Sequence, residues 1–292
     1  MPSPRPPAAR LGAAARLAAA AVGWWRRVPW PAGRGHYFFK ERLRALLGER
    51  PRPMRTDAGW LLLELAGDVL QERLYFSGRH DEDDVACFFE QNRASWRGAT
   101  LFDIGGHVGY WALQLAKAAG PQGRVLAFEP QPELAAAITW AAQCNAVPWL
   151  EVVQLAVADR AGSLTLSRMA DRGRSSVSEL ADAAESFAVP TLPLDSFCRE
   201  KGIWPDLLKI DIEGAEWLAL AGMKELLAER RPQIVLEVHP RQIAALGGSQ
   251  EALVEQLRAA GYQLEQLLPN GRAPLSRLPQ GSAWHLLATP LP

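Results

Sequence analysis

From residue 99 onward the chain alternates between short apolar runs and stretches of helical spacing, and this alternation restricts its architecture more than any other feature. "ATLFDI" reads as a buried strand and "VGYWALQLAKAA" as the helix that follows it. "RVLAFE" and "QPELAAAITWAAQCN" repeat the unit, and "LEVVQLAV" is a third strand. "DLLKID" leads into helix "GAEWLALAGMKELLAE", and "QIVLEVH" into helix "SQEALVEQLRAAG". "YQLEQLL" and "AWHLLAT" close the chain as an antiparallel pair. Repeated strand–helix units imply a mostly parallel α/β sheet with helices on both faces. Ligands of such sheets bind beyond the carboxyl ends of the strands, near the switch in strand order.

The expected organisation is a basic Ala/Pro/Arg-rich tail over residues 1–35, a helical and hairpin lead-in over 36–96, and the main domain over 97–292. "GWLLLELAGDVLQERLYFSG" (59–78) reads as short strands around a Gly-Asp turn. "DEDDVACFFEQNRAS" (81–95) reads as a helix whose acidic first turn suits the helix dipole. Between the third and fourth strands, residues 168–188 form a polar excursion flanked by "SLTLS" and "AVPTLPL", which look like extra strands. Such an excursion is either a surface loop or a binding loop.

Residues 1–56 carry 12 Lys/Arg and 2 Asp/Glu, which leaves 20 and 30 for the rest of the chain. An acidic body is a poor match to a polyanionic backbone, so nucleic acid is not an expected partner. Three cysteines without close spacing argue against a disulfide framework and a thiolate zinc site, and fit a reducing, cytoplasmic setting. No apolar run reaches 18 residues, so no transmembrane helix is expected. "LAAAAVGWW" (17–25) lacks a small-residue cleavage site and reads as no signal peptide. Trp24, Trp25 and Trp30 lie among arginines in the tail. They either pack onto the body or give weak docking to a membrane surface or a partner. Oligomeric state is not legible.

The stretch "LFDIGGHVGY" (101–110) carries the first chemistry. Asp103 ends a strand, Gly105 and Gly106 permit a sharp turn, and Gly109 opens a helix whose free amides can face an anionic group. The dinucleotide fingerprint G-x-G-x-x-G fails here, because His107 or Val108 falls on its second glycine in either register. The pattern that fits is D-x-G-x-x-x-G, the usual loop of S-adenosylmethionine-dependent methyltransferases. Glu129 ends the second strand, 20 residues after Gly109, where a carboxylate can accept both ribose hydroxyls.

"LLKIDIEGAEW" (207–217) places Lys209, Asp211, Glu213 and Glu216 at a strand-to-helix junction. Alternation puts Lys209 and Asp211 on one face. Charges at a buried strand end are costly unless paired or functional. "LEVHP" adds Glu237 and His239 at the end of the adjacent strand, so six polar groups can converge on one cleft.

The order "FDIGGHVG", "AFEP", "AVAD", "TLPLDSF", "LLKIDIEGAEW", "RRPQIVLEVHP" resembles the FkbM-type methyltransferases, a class I S-adenosylmethionine-dependent family, over about half the chain. Such proteins usually read D-x-G-A-N-x-G at the first loop, where this chain has Gly106 and His107. The resemblance implies a Rossmann-like, seven-stranded, mostly parallel sheet with a reversed last strand. It implies S-adenosylmethionine as cofactor, held by Asp103, Gly105, Gly106, His107, Gly109, Glu129, Ala156 and Val157. It implies methyl transfer, usually to a hydroxyl of a sugar or other small natural product, so the expected partner is a small or glycosylated acceptor. Such a hydroxyl needs a base or a metal. The candidate catalytic residues are Asp211, Glu213, Glu237, His239 and Lys209. His239 would titrate nearest neutrality if unperturbed, and Asp211 is better placed by the fold analogy. Asp211 and Glu237 could hold a hard divalent metal ion such as magnesium. The rivals are a nicotinamide-linked oxidoreductase, disfavoured by the broken glycine fingerprint, and a degenerate scaffold that docks through its tail.

Overall fold

The computed structural model describes residues 51–292 except 66–68, 78–79, 81, 170–174 and 177–182. The expected tail and its tryptophans lie outside the described residues.

The lead-in opens with a hairpin, β1 (Arg52–Arg55) and β2 (Leu61–Glu64), and continues into helices α1 (Val69–Ser77) and α2 (Asp83–Asn92). The strands read over 59–78 are therefore correct only in the first half. Gln71, Leu74 and Tyr75 are buried on α1 at the i, i+3, i+4 spacing of a helix. The alternation then runs β3 (Thr100–Ile104), α3 (Tyr110–Ala119), β4 (Arg124–Phe128), α4 (Pro132–Cys144) and β5 (Leu150–Val153). After β5 come β6 (Ala156–Val157), β7 (Gly162–Met169), β8 (Ser175–Ser176) and β9 (Ala183–Leu192), and then α5 (Leu194–Lys201). The chain ends with β10 (Leu207–Ile210), α6 (Glu216–Ala221), β11 (Gln233–Val238), α7 (Pro240–Ala245), α8 (Gln250–Ala259), β12 (Tyr262–Leu268), β13 (Gly271–Pro274) and β14 (Trp284–Pro290).

The main sheet has the order β13-β12-β14-β11-β10-β3-β4-β5. Strands β5, β4, β3, β10 and β11 are mutually parallel, while β14 enters antiparallel between β11 and β12. This is the seven-stranded sheet with a reversed last strand, extended by β13 as a short hairpin edge. The excursion after β5 builds a separate sheet, β6-β9-β7-β8, so "SLTLS" and "AVPTLPL" are strands as expected. "LEVVQLAV" divides between the two sheets at Gln154 and Leu155. The helix expected over "GAEWLALAGMKELLAE" breaks after Ala221 and resumes as a single π turn, Leu226–Arg230. A Cβ on Gly222 would lie 2.2 Å from the Ala158 carbonyl oxygen, so the backbones meet where the helix stops.

Strand alternation sorts the core onto two faces. Leu101, Val125, Leu207, Val235 and Leu287 join α3, α4 and the lead-in on one face. Phe102, Leu126, Leu208, Ile234 and Leu286 join α5, α6 and α8 on the other. Each such fully buried side chain contributes roughly 1.5–3 kcal/mol. The same period carries polar groups onto the first face at its carboxyl end. Asp103 and Lys209 are register partners two residues beyond Leu101 and Leu207, and Glu237 pairs with His285 across β11 and β14. No helix among the described residues is long and apolar enough to cross a membrane.

Candidate active site

β3 runs into a glycine loop that is packed from beneath. Gly105 has φ +92°, and a Cβ there would lie 1.9 Å from the Asp211 carbonyl oxygen. Its missing side chain is thus required by the end of β10, so the backbone's close approach is internal. The amides of Gly105 and Gly106 both donate to the Phe128 carbonyl at 2.9 and 3.0 Å. Gly109, at φ +89°, caps α3. Between them His107 holds φ +49°, a left-handed conformation that costs a non-glycine residue about 1–3 kcal/mol.

Glu129 braces that turn. Its Oε2 accepts the His107 amide and its Oε1 the Gln131 amide, both at 2.9 Å. Burial raises its carboxyl to about 7, against the opposing pull of the two amides and the His107 charge. Each oxygen keeps a second lone pair for another donor.

Beyond the strand ends lies a cavity of about 640 Å³. Gly105, Gly106, His107, Glu129, Ala156 and Val157 line it, together with Lys209, Asp211, Glu213, Glu237 and His239. Two expected residues do not line it. Gly109 sits at the helix start, and Asp103 lies fully buried beneath the loop. No side chain among the described residues hydrogen-bonds to either Asp103 oxygen. Burial raises its carboxyl to about 7, with Lys209 opposing the shift.

Lys209 Nζ lies 3.1 Å from Asp211 Oδ2 and 4.0 Å from Asp103 Oδ1. Burial works to discharge this ammonium, but the surrounding carboxylates, Asp211 foremost, outweigh it and hold the pKa above the usual lysine range. Burial likewise works to protonate Asp211, and Lys209 and His239 outweigh it, so Asp211 stays ionised far below neutrality.

Glu216, fully buried at the start of α6, organises the turn. Its Oε1 accepts the Ile212 and Gly214 amides at 3.2 and 3.0 Å and lies 2.9 Å from His239 Nδ1. This fixes the His239 ring, whose Nε2 lies 3.5 Å from Glu237 Oε1, 3.7 Å from Glu213 Oε2 and 3.9 Å from Asp211 Oδ1. Burial lowers the His239 pKa less than Glu216 and the other carboxylates raise it, and the result is about 10. His239 is therefore a cation at neutral pH. One ligand atom each from Asp211, Glu237 and His239 lies within 4.8 Å of the others.

Three residues of this region were not singled out from the sequence. Glu82 and Asp84 belong to the acidic start of α2, and His285 to β14. His285 Nδ1 lies 2.8 Å from Asp84 Oδ2, and its pKa is also raised to about 10, with burial outweighed by Asp84 and Glu237. The one available signal was a histidine within an otherwise apolar strand.

A family model described as the methyltransferase FkbM domain matches residues 103–264. The AMB antimetabolite synthetase AmbE of Pseudomonas aeruginosa is 28% identical over 253 residues, covering 72% of this chain. The match spans only 12% of that synthetase. Among solved structures, the methyltransferase FkbM from Methylobacillus flagellatus is similar at a TM-score of 0.44 and 15% identity, over 65% of this chain and 43% of that one. A SAM-dependent O-methyltransferase from Thermotoga maritima aligns at a TM-score of 0.41 and 12% identity, over 86% and 82%.

Proposed function

This chain belongs to the FkbM methyltransferase family, and from that premise we propose that it methylates a hydroxyl of a sugar or other small natural product, with S-adenosylmethionine as cofactor. The observation that carries this reading is the continuity of one cavity between the Glu129 ledge and the Asp211–Glu237–His239 floor. A donor held at the first lies beside an acceptor held at the second. The volume falls within the range of about 300–1,000 Å³ typical of small-molecule sites.

The residues present suit the cofactor. Glu129 offers one free lone pair on each oxygen, which matches the two hydroxyls of a ribose. Ala156 and Val157 give apolar walls, and Gly105, Gly106 and His107 line the cavity beside Glu129. When bound, S-adenosylmethionine supplies a methyl group already activated on a sulfonium centre.

The protein then has to align the acceptor oxygen and remove its proton. Asp211 accepts the hydroxyl hydrogen bond, and Lys209 beneath it keeps the carboxylate charged and fixed. As the new carbon–oxygen bond forms, the hydroxyl proton becomes strongly acidic, so a carboxylate of low pKa suffices to take it. His239, held by Glu216, orients Asp211, Glu213 and Glu237 around the acceptor without acting as the base. Glu237 is the second proton acceptor within reach of the same position.

The test is incubation of the protein with methyl-labelled cofactor and a panel of hydroxylated sugars and natural-product alcohols. Label recovered in an alkali-stable ether is the expected result. Label found only in esters or amines would contradict the hydroxyl assignment.

A further inference from the structure

Glu82, Glu237 and His285 converge from three separate elements: the residue preceding α2, β11 and β14. One ligand atom from each lies within 4.8 Å of the others. His285 Nε2 is 3.6 Å from Glu82 Oε2 and 3.7 Å from Glu237 Oε2. These spacings are too long for hydrogen bonds. Glu82 Oε2 and His285 Nε2 are buried atoms with no hydrogen-bond partner among the described residues. Leaving such atoms unsatisfied is costly and calls for an explanation.

The far ends of the same side chains are fixed. Asp84 Oδ2 lies 2.8 Å from His285 Nδ1, and His80 Nδ1 lies 3.1 Å from Glu82 Oε1. An imidazole whose Nδ1 is held by a carboxylate while its Nε2 points at further carboxylates is the arrangement that orients a metal-ligating histidine. Ligand atoms bound at about 2.0–2.2 Å from one ion stand roughly 3–4 Å apart, which is the spacing of His285 Nε2 from each of the two carboxylates.

We propose that Glu82, Glu237 and His285 bind one divalent first-row transition-metal ion, with Asp84 orienting the imidazole. Two carboxylates balance the ion's charge, binding displaces the proton that His285 carries at neutral pH, and the nitrogen donor favours manganese, iron, cobalt or zinc over magnesium. Glu82 and His285 both lie outside residues 103–264, so the segment that matches the family model does not by itself supply this site. Glu237 Oε1 faces His239 while Oε2 faces His285, so the ion would stand beside the acceptor position and polarise its oxygen. That role rests on the proposed methyl transfer, but the binding itself does not.

The experiment titrates Co²⁺ into chelator-treated full-length protein, followed by calorimetry and visible absorption, with Mg²⁺ as comparator. Expected are one Co²⁺ per chain, Mg²⁺ weaker by at least about tenfold, and losses of about 10- to 100-fold for Asp84→Asn. His285→Asn and Glu82→Gln should lose at least as much, while the exposed Glu255→Gln should match the parent protein. S-adenosylmethionine titrations of the same variants report whether each is folded, and they separate failure of this inference from failure of the methyltransferase reading. For any variant that does not fold, Mn²⁺ added to the ¹⁵N-labelled parent protein should broaden the His285 ring signals before those of His107. Absent Co²⁺ binding, Mg²⁺ binding as tight as Co²⁺, binding that survives His285→Asn, or no selective broadening would overturn the proposal.

Discussion

Lys209 and Asp103 are register partners across β10 and β3, with Nζ 4.0 Å from Oδ1 and both side chains almost wholly buried. Lys209 also holds Asp211 at 3.1 Å. One ammonium thus serves two carboxylates beneath the site. Lys209→Met should leave both without it and destabilise the fold by about 3–5 kcal/mol at pH 8. Asp103 already takes up a proton near pH 7 when folded, against about 3.9 when unfolded. Native protonation of this raised carboxyl adds stability as pH falls from 7 towards 4. The loss on Lys209→Met should therefore be smaller at pH 5.5 than at pH 8, as urea unfolding at both values would reveal.

Glu129 leads to a pH dependence of ligand affinity. Its carboxyl titrates at about 7 in the free protein, and only the ionised form can accept two hydroxyls. S-adenosylmethionine binding should weaken as pH drops from 7.5 to 5.5, by up to about tenfold per pH unit for one proton. Glu129→Gln should bind more weakly at pH 7.5 and lose this slope. Calorimetric Kd values at four pH points would measure both effects.

Gly105 separates backbone strain from steric closure. Gly105→Ala combines φ +92° with a Cβ driven into the Asp211 carbonyl. It should cost more than the roughly 1–3 kcal/mol of strain alone, and weaken cofactor binding at least about tenfold. Gly59→Ala has a similar φ of +88° and open space around it. That variant should lower Tm modestly and leave cofactor affinity unchanged, in thermal melts paired with calorimetry.

The parallel sheet, the glycine turn, the Glu129 ledge and the "KIDIEGAE" cluster were all legible in the sequence. Each is carried by local pattern, a strand period or a fixed spacing within a few residues. What escaped depends on contacts between distant segments. His285 and Asp84 meet across 201 positions, and nothing near either residue announces the other. Glu82 and Asp84 read as helix-start acids, which they also are. The break after Ala221 is set by the Ala158 backbone, again a partner remote in sequence. Val69, Tyr75 and Phe76 favour strands, so the sequence there reads as a strand, while Leu74 and Tyr75 pack into one core cluster with Met54 and Leu62 of the hairpin as a helix.

Glu216 is a positioning residue whose loss should be felt through His239. Glu216→Ala leaves two turn amides and the His239 ring without their acceptor. It should destabilise the protein by about 2–4 kcal/mol and lower kcat at least about tenfold. KM for the cofactor should change little, since Glu129 and the glycine loop are untouched. Glu216→Gln keeps an acceptor oxygen and should recover most of the stability, and unfolding curves with steady-state kinetics on both variants would resolve the two effects.

The proposed function requires the cavity beside Gly105 and Glu129 to bind S-adenosylmethionine. Titration calorimetry of the full chain with S-adenosylmethionine and with its demethylated product, on the parent protein and on Glu129→Ala, tests it most directly. One site per chain is expected for both ligands, with loss of at least about 30-fold in affinity on Glu129→Ala, roughly the 2 kcal/mol of two lost hydrogen bonds to a charged group. No detectable binding to the parent protein, or binding that Glu129→Ala leaves unchanged, would contradict it.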